Sequence, residues 1–152
     1  MSAHKARVSW RLGEGEDFPA RRYSRLHRLS FEGGLEVPGS PSPAIVPAPF
    51  SSPEALDPEG AFVAALSACH MLWFLDLAAG AGLTVESYVD SAEGTLGRIA
   101  PGRMGMTRVV LRPAVRFAGR PPSREEIDRL HEQAHARCFI ANSVSSEVAV
   151  EP

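Results

Sequence analysis

Residues Asp57–Gly82, DPEGAFVAALSACHMLWFLDLAAGAG, decide the fold. An aspartate that can cap free helical amides comes first, then proline at the first helical position and a glutamate at the positive end of the helix dipole. The residues that follow are apolar on nearly every side until two glycines end the run. One stripe at helical spacing consists of Phe62, Leu66, Cys69, Trp73 and Leu77. We therefore expect a long buried central helix over residues 57–82, too short in its apolar part to span a membrane.

Upstream of this helix the sequence predicts a small antiparallel sheet followed by a loop. Val8, Trp10 and Leu12 alternate with polar residues, as in a half-buried strand. The Gly33-Gly34 pair suits a hairpin turn between two further strands. Residues 5–37 thus form the predicted β-hairpin region. Residues 38–56, rich in proline and serine, form a loop of a length that often carries function or an interface.

Downstream, residues 83–152 are expected to form a second sheet region, a helix and a last strand. Strand-like stretches lie within 83–91 and 104–117, and residues 100–102 form a turn. Ser123 and Glu126 form a capping box that opens a helix, and Cys138 falls at or just past its last turn. Residues 144–150 alternate again as a strand. Helices and strands are segregated, so we expect one α+β domain over residues 1–152.

Composition and charge narrow the function classes. The 16 basic and 18 acidic residues give a formal charge of −2 without long runs of either sign, so we expect neither a nucleic-acid partner nor a membrane surface. The first twenty residues lack the apolar stretch of a secretory signal, which predicts a cytoplasmic protein. In a reducing cytoplasm the two cysteines are expected to be thiols or a transient redox pair.

Cys69 and Cys138 can be read in two ways from the residues alone. Both lie on apolar stretches, where a free cysteine commonly behaves as a small buried apolar residue. A reactive cysteine instead needs positive charge near its thiolate, and linear spacing does not reveal which arginine folds beside it. Spacing and local chemistry leave both readings open.

The motifs taken together resemble the OsmC/Ohr family of cysteine-based hydroperoxide reductases. The family pattern is N/D-P-E, an apolar helix with S/A-A-C, and a late second cysteine; this chain has Asp57-Pro58-Glu59, Ser67-Ala68-Cys69 and Cys138. The likeness extends from the N-terminal hairpin to the last strand. It implies an OsmC-like fold and an intertwined homodimer with active sites at the subunit interface. Ten residues of helix place Glu59 ~15 Å along the axis from Cys69, so another group must bridge them or come from another chain. The intertwined dimer that the resemblance implies would let residues of two chains converge.

The resemblance also implies a reaction. Cys69 would attack the peroxide, Cys138 would resolve the sulfenic acid as a disulfide, and an external dithiol or lipoyl-type reductant would regenerate the enzyme without metal or organic cofactor. The thiolate-stabilising arginine is best matched by Arg25, with Arg22 and Arg28 as alternatives because a strand slip of one residue swaps faces. Glu59 would orient this guanidinium through a bidentate pair.

An organic hydroperoxide is the expected substrate. Phe62, Leu66 and Trp73 would line an apolar substrate site, although any core helix carries such residues.

The chain departs from the family pattern after its second cysteine, where Cys138-Phe139-Ile140-Ala141 replaces C-P-x-S, and His70 replaces an apolar residue after the first. Two other functions stay open. The chain could be a non-catalytic OsmC-like ligand-binding dimer. Alternatively, His131-Glu132-Gln133-Ala134-His135 matches the H-E-x-x-H helix of zinc hydrolases, although a solvated helix face is the expected explanation of so short a motif.

Overall fold

The computed structural model describes residues 1–152 and divides them into two compact units, Met1–Ala61 and Phe62–Pro152. Two α-helices are present, α1 (Pro58–Gly80) and α2 (Arg124–Arg137). The strands of the N-terminal unit are β1 (Ala6–Ser9), β2 (His27–Phe31) and β3 (Glu36–Gly39). Those of the C-terminal unit are β4 (Thr84–Asp90), β5 (Glu93–Ala100), β6 (Arg103–Leu111), β7 (Pro113–Ala118) and β8 (Glu147–Val150). The α+β class is confirmed.

The N-terminal unit is built on an antiparallel sheet in the order β1-β2-β3. Gly33 and Gly34 join β2 to β3 with φ of 89° and 88°, a conformation that residues with a Cβ rarely adopt. The predicted hairpin is therefore confirmed. The first strand is shorter than its alternation suggested: pairing ends at Ser9, so Trp10 and Leu12 lie outside the ladder.

Helix α1 begins where the sequence predicts. The Asp57 Oδ1 atom accepts a hydrogen bond of 2.8 Å from the Gly60 amide, which satisfies one of the free amides of the first turn. The buried residues of the helix form a stripe four residues apart, Leu66, His70, Phe74 and Ala78. This stripe shares only Leu66 with the predicted one, because a helix that is apolar on nearly every side does not show in its sequence which face packs.

Two sheets form the strand part of the C-terminal unit. One is the antiparallel pair β4-β7, and the other has the order β5-β6-β8 with β8 parallel to β6. Strand β5 is absent from the sequence prediction because Gly94 and Gly97 weaken its strand pattern. The structure shows why Gly94 is there: a Cβ at this position would overlap the side chains of Val63 and Met106.

Two apolar clusters connect α1 to the rest of the C-terminal unit. The first joins the second half of α1 to α2 and the β4-β7 sheet; its buried members are Phe74, Ala78, Leu83, Leu130 and Ala134. The second joins the first half of the helix to the other sheet through Leu66, Val109 and Leu111. Cys69 lies on α1 between Leu66, which belongs to the second cluster, and Phe74, which belongs to the first.

Helix α2 carries the predicted capping box. The Ser123 hydroxyl accepts from the Glu126 amide, and the Glu126 carboxylate accepts from the Ser123 amide. At the other end Cys138 is the C-terminal cap, and its amide donates to the His135 carbonyl over 3.2 Å. The predicted position of Cys138, just past the last turn, is confirmed.

Candidate functional site

The two cysteines of the chain meet at the contact between α1 and the end of α2. Their thiols are neighbours that influence each other although 69 positions separate them in the sequence. Both are free thiols in this structure. The arrangement brings together the two residues that the sequence singles out for redox chemistry.

The two thiols have different surroundings. Cys138 is only 1% exposed, and its sulfur accepts a hydrogen bond of 3.3 Å from the Ala141 amide. Burial, and then the neighbouring thiol of Cys69, raise the pKa of the Cys138 thiol to about 11. Cys138 therefore keeps its proton at neutral pH. Since the thiolate is the nucleophile of cysteine chemistry, Cys138 is poorly suited to attack a peroxide.

Cys69 is half-buried and borders a cavity of about 600 Å³. Apart from Cys69 and Asp76, the lining is apolar: Ala65, Ala68, Leu72, Trp73, Phe139 and Ile140. Of the three residues predicted to line the substrate site, the structure places Trp73 at this cavity. Leu66 lies in the core with no exposed surface, and Phe62 packs against the same core cluster.

A hydrogen-bond chain next to the cysteine fixes the position of α1. Ser67 donates through its hydroxyl to the Asp90 carboxylate over 2.5 Å, and the other carboxylate oxygen accepts from the Arg112 amide over 2.6 Å. The helix is thus tied to the end of β4 and to the junction between β6 and β7. This anchor holds the segment that carries Cys69.

Arg25, the predicted thiolate partner, lies in the N-terminal unit on an aromatic platform. Its guanidinium carbon is 4.0 Å from the ring centroid of Tyr23 and 5.5 Å from that of Phe50. It donates to the Tyr23 carbonyl over 2.7 Å and forms no salt bridge. By contrast, Arg28 is paired with Glu36. The half-buried Arg25 thus has no carboxylate partner and retains donors for an anion, whereas Arg28 is already paired with a carboxylate, and the exposed Arg22 has no such platform.

Glu59 stands in the first turn of α1 and is also part of the N-terminal unit. Its Oε2 atom is buried and has no hydrogen-bond partner. The bidentate pair with Arg25 that the resemblance implies is not formed in this structure. A buried carboxylate oxygen without a partner is energetically costly, which marks Glu59 as an acceptor for a cationic or N–H donor.

A buried histidine pair is the polar feature that the sequence did not predict. The Nε2 atom of His70 lies 3.0 Å from Nδ1 of His131, and the rings are parallel within 8°. Phe74 stacks on His131 with centroids 4.4 Å apart. Burial, followed by the neighbouring His131 and His135, lowers the pKa of His70 to about 4. Burial also lowers the pKa of His131.

This pair bears on the metallohydrolase alternative. His131 directs one ring nitrogen at His70, inside the contact between the helices, instead of presenting the H-E-x-x-H face to a shared ion. No three His, Cys, Asp or Glu side chains of the chain lie together in an arrangement that could hold a metal. The geometry therefore gives no support to a zinc hydrolase built on His131, Glu132 and His135.

Comparison with protein families decides the identity of the chain. The family model described as OsmC-like protein matches residues 51–152, which include both cysteines and both helices. The chain belongs to the OsmC-like protein family. The resemblance seen in its motifs is thereby confirmed for the family, and the fold of this OsmC-like protein is the one that the resemblance implied.

Solved structures extend this result. An OsmC-like protein of unknown function from Vibrio cholerae is 48% identical, with a TM-score of 0.97 and 99% of each chain covered. An organic hydroperoxide resistance protein from Elizabethkingia anophelis has a TM-score of 0.71 at 20% identity, covering 99% of this chain and 93% of its own. An organic hydroperoxide resistance protein from Legionella pneumophila has a TM-score of 0.70 at 18% identity, covering 99% of this chain and 95% of its own. The last two establish the fold alone. A comparison with curated proteins gave no match.

Proposed function

We propose that this OsmC-like protein is a thiol peroxidase that reduces organic hydroperoxides to alcohols. One observation carries the proposal: two neighbouring thiols, of which one borders an apolar cavity and the other is buried and keeps its proton. The family includes proteins described as organic hydroperoxide resistance proteins, which supports the same chemistry.

The reaction has three balanced steps. The Cys69 thiolate attacks one peroxide oxygen, the O–O bond breaks, and the departing alkoxide takes a proton to leave as alcohol, which leaves a sulfenic acid on Cys69. The Cys138 sulfur then displaces the hydroxyl of the sulfenic acid, giving water and a Cys69–Cys138 disulfide. An external dithiol, free or of the lipoyl type, reduces the disulfide and is itself oxidised. These steps need no metal or organic cofactor.

The apolar cavity favours the carbon-bearing peroxides over hydrogen peroxide. Six of its eight lining residues are apolar side chains, and burying a hydrocarbon group there removes it from water. Hydrogen peroxide has no such group. A cytoplasmic location fits the use of dithiol reductants.

Arg25 and Glu59 are the residues that we assign to thiolate stabilisation. Arg25 has unpaired guanidinium donors and Glu59 has an unpaired carboxylate oxygen, so each has the capacity that the role requires. In the mechanism the guanidinium favours the anionic sulfur, and Glu59 orients the guanidinium.

Thiol counting tests the proposed function directly. One equivalent of cumene hydroperoxide is expected to remove both titratable thiols of the reduced protein, because one peroxide consumes Cys69 and Cys138 together. Dithiothreitol should restore both. A chelator is the control and should have no effect on peroxide consumption. If the peroxide leaves two thiols unchanged, the protein is a non-catalytic binding protein and the peroxidase proposal is wrong.

We further propose that the working form is a homodimer. The prediction that the apolar part of the central helix is too short to span a membrane was wrong: helix α1 is long and apolar enough by length and composition. In one chain, however, only 22% of its most apolar 18 residues are buried. Both units also expose large apolar side chains, among them Val8, Leu35, Leu72 and Met104. The unburied apolar surface of α1 is of the kind that a partner normally covers, and a second copy is the occupant that the family suggests.

Light scattering at micromolar concentration tests the dimer. The expected mass is twice the 16.4 kDa of one chain. Replacing the 62% exposed Leu72 by glutamate is expected to shift the particle toward the single-chain mass, because it would bury a charge in the interface. The same change at Ala79, an exposed position of the same helix, is a control for added charge. A wild-type protein with the mass of one chain would contradict the proposal.

A further inference from the structure

Phe139 occupies an unusual place for a large aromatic side chain. It directly follows the buried Cys138, is 69% exposed, and lies against the cavity that Cys69 borders. Its ring meets Trp73 edge to face, with centroids 5.6 Å apart and planes at 86°. Trp73 itself stands one helical turn after Cys69 on α1. The two rings therefore form an aromatic corner next to the cysteine that attacks the peroxide.

The backbone around Phe139 is held on both sides. The carbonyl of Phe139 accepts from the Ser143 hydroxyl over 2.7 Å, and the carbonyl of Cys138 accepts from the Asn142 amide over 3.0 Å. The Ala141 amide binds the Cys138 sulfur. These bonds restrict the backbone that carries Phe139, and the contact with Trp73 is the one that places its ring.

Trp73 is held in turn by a cation. The Arg137 guanidinium carbon lies 5.8 Å from the centroid of the Trp73 ring, within the range of a cation–π contact. The Trp73 ring thus has the Phe139 edge and the Arg137 guanidinium as neighbours. An aromatic corner fixed in this way can offer a ring face and a ring edge to a third ring, which is the geometry that aromatic side chains prefer among themselves.

We propose that Phe139, together with Trp73, determines specificity by selecting hydroperoxides whose carbon group is aromatic. This inference rests on the proposed peroxidase function and names the substrate class of the same cavity. An aryl group would pack in the corner while its peroxide oxygen reaches Cys69. A compact alkyl group would gain apolar packing against the cavity wall but no ring–ring interaction, and hydrogen peroxide would gain neither.

Steady-state kinetics with three peroxides tests the proposal. The substrates are cumene hydroperoxide, tert-butyl hydroperoxide and hydrogen peroxide, and the variants are Phe139→Ala and Phe139→Leu. We expect Phe139→Ala to lower kcat/KM about tenfold for the cumyl substrate, less than about threefold for the tert-butyl one, and less than about twofold for hydrogen peroxide. Phe139→Leu, which keeps apolar bulk without a ring, should also lose the cumyl preference in large part. Leu96→Ala, at an exposed apolar residue outside the cavity, is the matched control and should change none of the three values.

Each outcome has a distinct meaning. Equal losses for all three peroxides would show that Phe139 acts on the thiols or on folding, and unchanged values would show that substrates do not touch it; either result overturns the specificity proposal. A Phe139→Leu variant that retains the full cumyl preference would also overturn it, because bulk alone would then suffice. A wild-type protein that reduces none of the three peroxides would instead overturn the proposed function itself.

Discussion

Replacing Cys69 by serine is expected to lower hydroperoxide consumption at least ~10³-fold, because a serine hydroxyl is not ionised at neutral pH and cannot form a sulfenic acid. Cys69 is the thiol that borders the apolar cavity, and its partner keeps its proton. The measurement is peroxide loss in the presence of dithiothreitol. A Cys69→Ser protein with more than a tenth of wild-type activity would rule out this assignment.

The companion change Cys138→Ser separates attack from resolution. It should leave the first step intact, so that one equivalent of peroxide consumes the remaining thiol and leaves a sulfenic acid that a dimedone-type reagent labels. No intramolecular disulfide can form in this variant. Labelling of Cys138 in the Cys69→Ser variant, at the wild-type rate, would instead show that the two roles are reversed.

Acidification from pH 7 to pH 4 is expected to destabilise the folded protein by about 3 kcal/mol through His70 alone, at ~1.36 kcal/mol per pKa unit. The pKa of His70 is about 4 in the folded chain against an ordinary 6.5. Between these values the unfolded chain binds more protons, so stability is complete above pH 6.5 and declines as pH falls toward 4. The lowered pKa of His131 adds in the same direction.

The groups that face the histidine pair explain why acid lowers the stability. His70 meets His131 directly and has His135 nearby, so each proton added to one ring opposes a proton on the next. Asp128 and Asp90 attract a proton to His131, but burial outweighs them. Urea unfolding at pH 7, 5.5 and 4.5 measures the loss.

The control is the double change His70→Leu with His131→Leu. It removes both titrating rings and replaces a buried polar pair by apolar groups of similar size. Its unfolding free energy should fall less steeply with acid than that of the wild type. Parallel curves for the two proteins would show that the acid sensitivity arises elsewhere.

Local signals in the sequence were sufficient for the element boundaries that depend on near neighbours. Asp57 before Pro58, the Gly33-Gly34 pair and Ser123 with Glu126 each act within four residues, and each stands where it was predicted. Strand β5 was missed because its glycines are required by side chains that pack against them from elsewhere in the unit. Such contacts leave no pattern in the neighbouring sequence.

The candidate site depends on contacts that spacing does not encode. The meeting of Cys69 with Cys138 was expected from the family resemblance, since local chemistry was equally consistent with two inert buried thiols. The His70–His131 pair joins residues 61 positions apart, whereas the sequence had placed His131 on a solvated helix face or, alternatively, at a metal. Phe139 stood out only as a departure from the family pattern; its adjacency to Cys138 was the available signal for a place in the cavity wall.

The proximity of the two cysteines also bears on the conformational freedom of the chain. In the disulfide state, α1 and the end of α2 would be covalently braced, and the segment from Cys69 to Cys138 would become a closed ring. An unfolded chain constrained in this way has fewer conformations to gain, so the oxidised intermediate is the stiffer and more persistent molecule. In each catalytic cycle the domain would therefore alternate between a cross-linked and a reduced form, and the reductant would restore the more flexible one.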